Sequence, residues 1–347
     1  MVMYIMNDKV KIIVDYISKE ISSGENCELN CTLFEVNYNV VFLAPNPLKK
    51  INIPSILVIP KSDKINNRLI LEVNNCDSLD LTEMLIDGGL VVQKLAAITN
   101  GCYSTMIIPI LPSINENGIY FQHLSKECFE LPENDKYFRI DEQIIRIINE
   151  AKEILKSKYK VTCLDKIFLN GYSSSGVFAQ RFSLIHPEII EIACIGGAIG
   201  SIPIPSKKIG YPVGIEDFDL LFNRTFDIKN YSQIKFVYYV GEFEDKMKAN
   251  NRLNEDLLPC PMHDMSYFDK STPLEVGQKQ RNLFGKNMFA RINKIIEILT
   301  KIYGINIKLI VIPGRTHNNQ SGHGVNEFTI RIPAKFYRQI SEKEKRL

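Results

Sequence analysis

The sequence predicts an α/β protein built on a doubly wound, mostly parallel sheet of eight strands. Short, β-branched apolar runs bounded by turn residues recur along the chain, and helical apolar stripes separate most of them. The later runs are apolar almost without a break, as strands covered on both faces are.

The elements follow in order. Residues 8–21 place Val10, Ile12, Ile13, Tyr16, Ile17 and Ile21 at helical spacing, an N-terminal amphipathic helix. Runs at 36–44, 53–60, 68–74, 105–111, 166–170, 192–198, 234–240 and 307–313 read as the eight strands. The earliest alternates more, as an edge or antiparallel strand does. Helical patterns fill 80–97, 138–158, 175–185 and 280–303; in the second, Ile140, Ile144, Ile148, Ala151 and Leu155 form one stripe. Strands alternating with helices make a single domain over residues 1–347. Residues 200–232 and 246–279 break the alternation and follow the sixth and seventh strands, where such folds carry lid-like or binding insertions.

Composition narrows the functional classes. The 347 residues are 45% hydrophobic and 24% charged, enough for a sizeable core. Against 40 acidic residues stand 42 basic ones, and a net charge of +2 gives no field for nucleic acid or an anionic membrane. No run of about 18 apolar residues suggests a membrane span, and the first twenty residues lack the pattern of a signal peptide. Of the eight cysteines, Cys27 and Cys31 form the one close pair, and no second Cys/His pair completes a metal site. Reduced thiols and a cytoplasmic address are the expectation. No metal or organic cofactor is implied, and a homo-oligomer is left open.

The chemistry concentrates in KIFLNGYSSSG, residues 166–176: a buried strand, a tight turn, then the helix VFAQRFSLI. A serine nucleophile on such a turn needs small neighbours, because the backbone folds back sharply around it. Ser173 has Gly171 two residues before it and Ser175 two after; Ser174 has Gly176 after it but Tyr172 before. Glycine at the strand end, where crowding is worst, favours Ser173. Without the flanking strand and helix, the motif would read as a serine-rich helix cap.

A serine hydroxyl needs a base. Triads on this kind of turn run serine, acid, histidine along the chain, which selects His317, just past the last strand, with His323 in reserve. His186 at a helix end reads as a surface or capping residue, His123 precedes the serine, and His263 lies in the irregular insertion. The acid should follow the seventh strand, where GEFED offers Glu242, Glu244 and Asp245. Spacing from the glycine points to Glu244, and identity points to Asp245, toward which the balance leans. An oxyanion needs aimed N–H donors: Ser174 through its backbone, and Asn74, Asn75 or Cys76 in the loop EVNNCDS. GGAIG at 196–200 lacks the lysine and spacing of a phosphate loop and reads instead as a close approach to the serine. Arg181 and Arg315 flank the expected site and read as exposed, solubilising residues, with a substrate carboxylate as the sharper alternative.

On these residues the chain resembles the α/β-hydrolase superfamily. GYSSSGVFAQRFSLIHPE, EVNN, IIPILPS, YPVGIEDF and YVGEFED are similar to esterases of the feruloyl-esterase and polyhydroxybutyrate-depolymerase type. Ser175 stands where glycine is usual in that family, and Glu244 where aspartate is usual. The resemblance implies an α/β-hydrolase fold and a carboxylesterase that cleaves small or medium acyl esters through an acyl-enzyme. A peptidase, thioesterase or acyltransferase with the same triad is the alternative, and a non-catalytic binding protein on that scaffold is a third reading.

Overall fold

The structure, a computed structural model, describes residues 8–20, 25–76, 78–100, 102–115, 117–200, 202–244, 246–248, 257–259, 271–285, 287–317 and 327–344. Its strands are β1 (Cys27–Leu33), β2 (Val36–Leu43), β3 (Ser55–Pro60), β4 (Asn66–Leu71), β5 (Ser104–Pro109), β6 (Ile167–Tyr172), β7 (Ile190–Gly196), β8 (Lys235–Phe243), the short pair β9 (Lys246–Lys248) and β10 (Leu257–Pro259), and β11 (Asn306–Thr316). The helices are α1 (Asp8–Glu20), α2 (Leu81–Ile98), α3 (Ile140–Lys158), α4 (Ser174–Ile185), α5 (Phe218–Phe222), α6 (Ile228–Gln233), α7 (Leu274–Phe284), α8 (Met288–Lys301) and α9 (Glu327–Glu344).

The main sheet has nine strands in the order β1-β2-β3-β5-β4-β6-β7-β8-β11. From β5 to β11 every neighbouring pair is parallel; β1, β2 and β3 form an antiparallel meander at one edge. The ninth strand, β1, is the one the apolar runs do not reveal. Its sequence CELNCTL alternates, and Cys27, Leu29 and Cys31 pack against the core beneath α1 while Glu28 and Asn30 face away. Two residues four apart on one strand stand roughly 13 Å from each other, so Cys27 and Cys31 cannot share a metal. None of the described cysteines is held in a disulfide.

Strand periodicity divides the core. Leu57, Ile59, Leu69, Leu71, Ile107, Ile167 and Leu169 face one apolar layer, covered by α3, α4 and α8. Their neighbours Ile56, Val58, Ile70, Met106, Ile108 and Phe168 face the other, covered by α1, α2 and α9. Both layers are buried because side chains alternate across a sheet and helices cover both faces. The segment expected as a lid-like insertion, 200–232, sends Phe218, Phe222, Phe226 and Tyr231 into the first layer, where Phe226 packs edge to face with Phe218 and Tyr231 and the Phe222 ring lies tilted against Phe218. The helical stretch expected at 280–303 is broken at Gly285, whose φ of 118° separates α7 from α8. Helix α9 carries Pro333 inside it, a residue that argues against a helix in sequence. Among the described residues, no helix is long and apolar enough to cross a membrane.

Candidate active site

The parallel strands end along one edge, and the chemistry-bearing residues follow those ends: Glu72–Cys76 after β4, Ser173 after β6, Glu244 after β8, His317 after β11. Ligands bind outside the carboxyl ends of such sheets.

Ser173 sits between β6 and α4 with φ 58° and ψ −121°, a conformation that non-glycine residues rarely adopt. The turn is as crowded as the sequence implies: a Cβ on Gly171 would fall 2.1 Å from the Ser175 carbonyl oxygen. Ser173 donates its N–H to the Gly196 carbonyl at 2.9 Å, so the glycine that ends β7 lies against the serine.

Ser173 Oγ lies 3.1 Å from His317 Nε2, and His317 Nδ1 lies 2.5 Å from Glu244 Oε1. Gly241 makes this possible. Its N–H donates to Glu244 Oε2 at 3.1 Å while its carbonyl accepts from the Glu244 N–H at 3.1 Å, a closed turn that holds the carboxylate inward. Spacing from the glycine therefore outweighs residue identity: Glu244, 1% exposed, faces the imidazole. Asp245, toward which the sequence leaned, and the reserve His323 and insertion His263 lie outside the described residues. The Tyr172 ring stacks on the imidazole, centroids 5.5 Å apart, and its hydroxyl donates to the His317 carbonyl at 3.3 Å. Burial alone would push the His317 pKa down; the Glu244 charge and hydrogen bond outweigh it, and the imidazole is held above its ordinary value of 6.5.

The oxyanion loop departs from expectation. The Asn74 amide is buried and bonds Leu111 in both directions, receiving its N–H at 2.7 Å and donating to its carbonyl at 2.9 Å. Asn75 gives its backbone N–H to the Asp87 carboxylate and its side-chain amide to the Tyr172 carbonyl at 3.1 Å. Buried polar groups take the partners within reach, so the paired asparagines brace the loop rather than point donors outward. Cys76 follows them in the loop, 8% exposed. Ser174 opens α4, where the first N–H groups have no helical acceptor.

Three features escaped the sequence reading. His123 places Nε2 3.0 Å from Ser174 Oγ, although it precedes that serine by 51 residues. Arg181 is not an exposed solubilising residue but 2% exposed, donating to the His123 carbonyl at 2.8 Å and to Ser271 Oγ at 2.9 Å. His186 does cap α4, but as a buried residue 2.9 Å from Asp141 rather than a surface one.

Beneath the serine turn lies a buried ionic knot. Glu72, fully buried, pairs with Lys94 of α2 and accepts from Asn170 Nδ2 at 2.7 Å and Ser175 Oγ at 3.0 Å. Ser175, where glycine is usual, thus ties the turn to β4, and its oxygen accepts the Tyr172 N–H at 2.9 Å. The signal was present in sequence as a glutamate ending an apolar strand and a lysine inside an apolar helix. Glu72→Ala leaves a buried ammonium without its counter-charge and is expected to cost about 3–5 kcal/mol. Adding Lys94→Met should recover much of that loss. Urea unfolding of wild type, single and double variants measures both, and a single-variant loss below about 1 kcal/mol would contradict the assignment.

With this geometry in place, comparison with known proteins gives the following. No protein-family model and no curated protein sequence matches the chain. Among solved structures, it is similar to a poly(3-hydroxybutyrate) depolymerase from Bordetella parapertussis, with 11% identity, a TM-score of 0.51, and coverage of 93% of this chain and 92% of that one. An S-formylglutathione hydrolase from Agrobacterium tumefaciens is similar at 13% identity and a TM-score of 0.49, with 90% of this chain and 98% of that one covered. The first of these likenesses is one of fold, and the chain has the α/β-hydrolase fold with one extra antiparallel edge strand.

Proposed function

We propose that this protein is a serine hydrolase that cleaves carboxylic esters through an acyl-enzyme. The observation that supports this most is the unbroken hydrogen-bonded chain from Ser173 through His317 to Glu244 at the carboxyl edge of the sheet. The poly(3-hydroxybutyrate) depolymerase whose fold this chain shares is in keeping with that reading.

The mechanism follows from the contacts. Glu244 accepts from Nδ1–H, which leaves Nε2 bare and facing the Ser173 hydroxyl. As Oγ attacks the acyl carbon, its proton passes to Nε2, and Glu244 stabilises the resulting imidazolium. The carbonyl oxygen becomes an oxyanion, held by the backbone N–H groups of Ser174 and Cys76. His317 then gives its proton to the departing alcohol. Water, deprotonated by the same imidazole, attacks the acyl-serine; the acyl–Oγ bond breaks, Oγ takes the proton back from Nε2, and the acid leaves.

Turnover of p-nitrophenyl acetate, an acyl-thioester and a peptide amide, each with and without a fluorophosphonate inhibitor, tests the reading. The expected result is fastest turnover of the oxygen ester, abolished by the inhibitor. Turnover confined to the thioester or amide would move the protein to another reaction class, and an inert protein would mark a binding function.

A further inference from the structure

Beside the Ser173–His317 couple stands a second serine–histidine couple, Ser174 and His123, which the proposed mechanism does not use. His123 Nε2 is 3.0 Å from Ser174 Oγ, and His123 Nδ1 is 2.9 Å from Ser271 Oγ. The imidazole is 8% exposed and stacks on Tyr120, ring centroids 5.0 Å apart. Buried Arg181 closes the cluster, donating from one nitrogen to both the His123 carbonyl and Ser271 Oγ and from another to Thr272 Oγ1 at 3.1 Å.

The couples differ in polarity, and the difference follows from what stands behind each imidazole. Behind His317 is a carboxylate, an acceptor, which demands Nδ1–H and leaves Nε2 bare to receive the serine proton. Behind His123 is a hydroxyl that already accepts from a guanidinium, a group with donors only. That cation polarises the Ser271 O–H and turns it into a donor toward Nδ1. The His123 proton then sits on Nε2 and is donated to Ser174 Oγ. With its oxygen accepting from the ring, Ser174 has its own hydrogen to offer. Ser173 and Ser174 are both partly exposed at the same turn, between fully packed neighbours.

Building on the serine-hydrolase reading, we infer that the Ser174 hydroxyl, set by His123, is a side-chain donor to the oxyanion that Ser173 chemistry generates. Ser174 touches the reacting oxygen; His123, Ser271 and Arg181 are positioning residues that fix the direction of its hydrogen bond. The donor strengthens as charge develops, so its contribution falls on kcat rather than on KM.

The test uses the full chain with p-nitrophenyl acetate, and fluorophosphonate titration of each variant counts competent sites. Ser174→Ala should lower kcat roughly 10²-fold with KM little changed, and Ser174→Thr, which keeps a hydroxyl, should retain most activity. His123→Ala should reproduce the kcat loss in the parent and add nothing on top of Ser174→Ala. A Ser174→Ala enzyme with wild-type kcat, a change confined to KM, or Ser174→Thr no better than Ser174→Ala overturns the inference. Should His123→Ala fail to fold, the Thr–Ala comparison at position 174 decides alone. A wild type that neither labels nor turns over sinks the underlying hydrolase reading instead, so the two failures are distinguishable.

Discussion

Ser173→Ala is expected to lower kcat for ester hydrolysis by about 10⁶-fold and to abolish fluorophosphonate labelling, while the protein stays folded. The size of the effect reflects the loss of covalent catalysis as a whole: without Oγ at 3.1 Å from Nε2, the imidazole has no nucleophile to deprotonate. Residual rate over water of roughly 10³–10⁴-fold would come from the oxyanion donors and substrate binding alone. Stability should not suffer, because the hydroxyl is partly exposed and alanine keeps the same backbone geometry. Steady-state kinetics together with a thermal melt check both halves. Full activity in the alanine variant would remove Ser173 from the chemistry.

Glu244→Gln is the second large expectation, a kcat loss of about 10⁴-fold. The amide retains the shape of the carboxylate but loses the charge that orients and stabilises the imidazolium. The pH profile gives this variant a signature that general destabilisation lacks. His317 acts as a base only when neutral, so activity rises as pH climbs through its pKa, and in wild type that acid limb should lie above 6.5. In the glutamine variant the raising influence is gone and burial, which opposes the charged ring, remains. The limb should therefore move below 6.5. A kcat/KM profile over pH 5–9 measures the shift. Asp245→Asn is the control, expected to leave both kcat and the limb close to wild type; the opposite ranking of the two variants would transfer the role to Asp245.

The sheet was readable because its inner parallel strands are buried on both faces and their runs are continuous; the edge strand β11 keeps an apolar run although much of it is exposed. The strand and helix patterns that flank the serine, 166–170 and 175–185, follow from the same periodicity, down to the glycine at 171 that the crowded turn requires. What stayed illegible was long-range. Whether Glu244 or Asp245 faces the imidazole is decided by a backbone turn closed on Gly241, which spacing suggested and composition obscured. Asn74 and Asn75 looked like donors for a substrate because nothing local shows that Leu111, Asp87 and Tyr172 take them up. His123 was set aside by chain order, a rule about the catalytic base that says nothing of a histidine serving the neighbouring serine. Strand β1 was hidden by its cysteines, which drew attention to metal chemistry although the alternation of CELNCTL was present throughout.

Position within the GYSSSG turn is the point on which the chemistry rests. Digestion of the fluorophosphonate-treated protein and sequencing of the modified peptide reads it directly. The account predicts a single adduct on Ser173 that disappears in His317→Ala; an adduct on Ser174 that survives that substitution would contradict it.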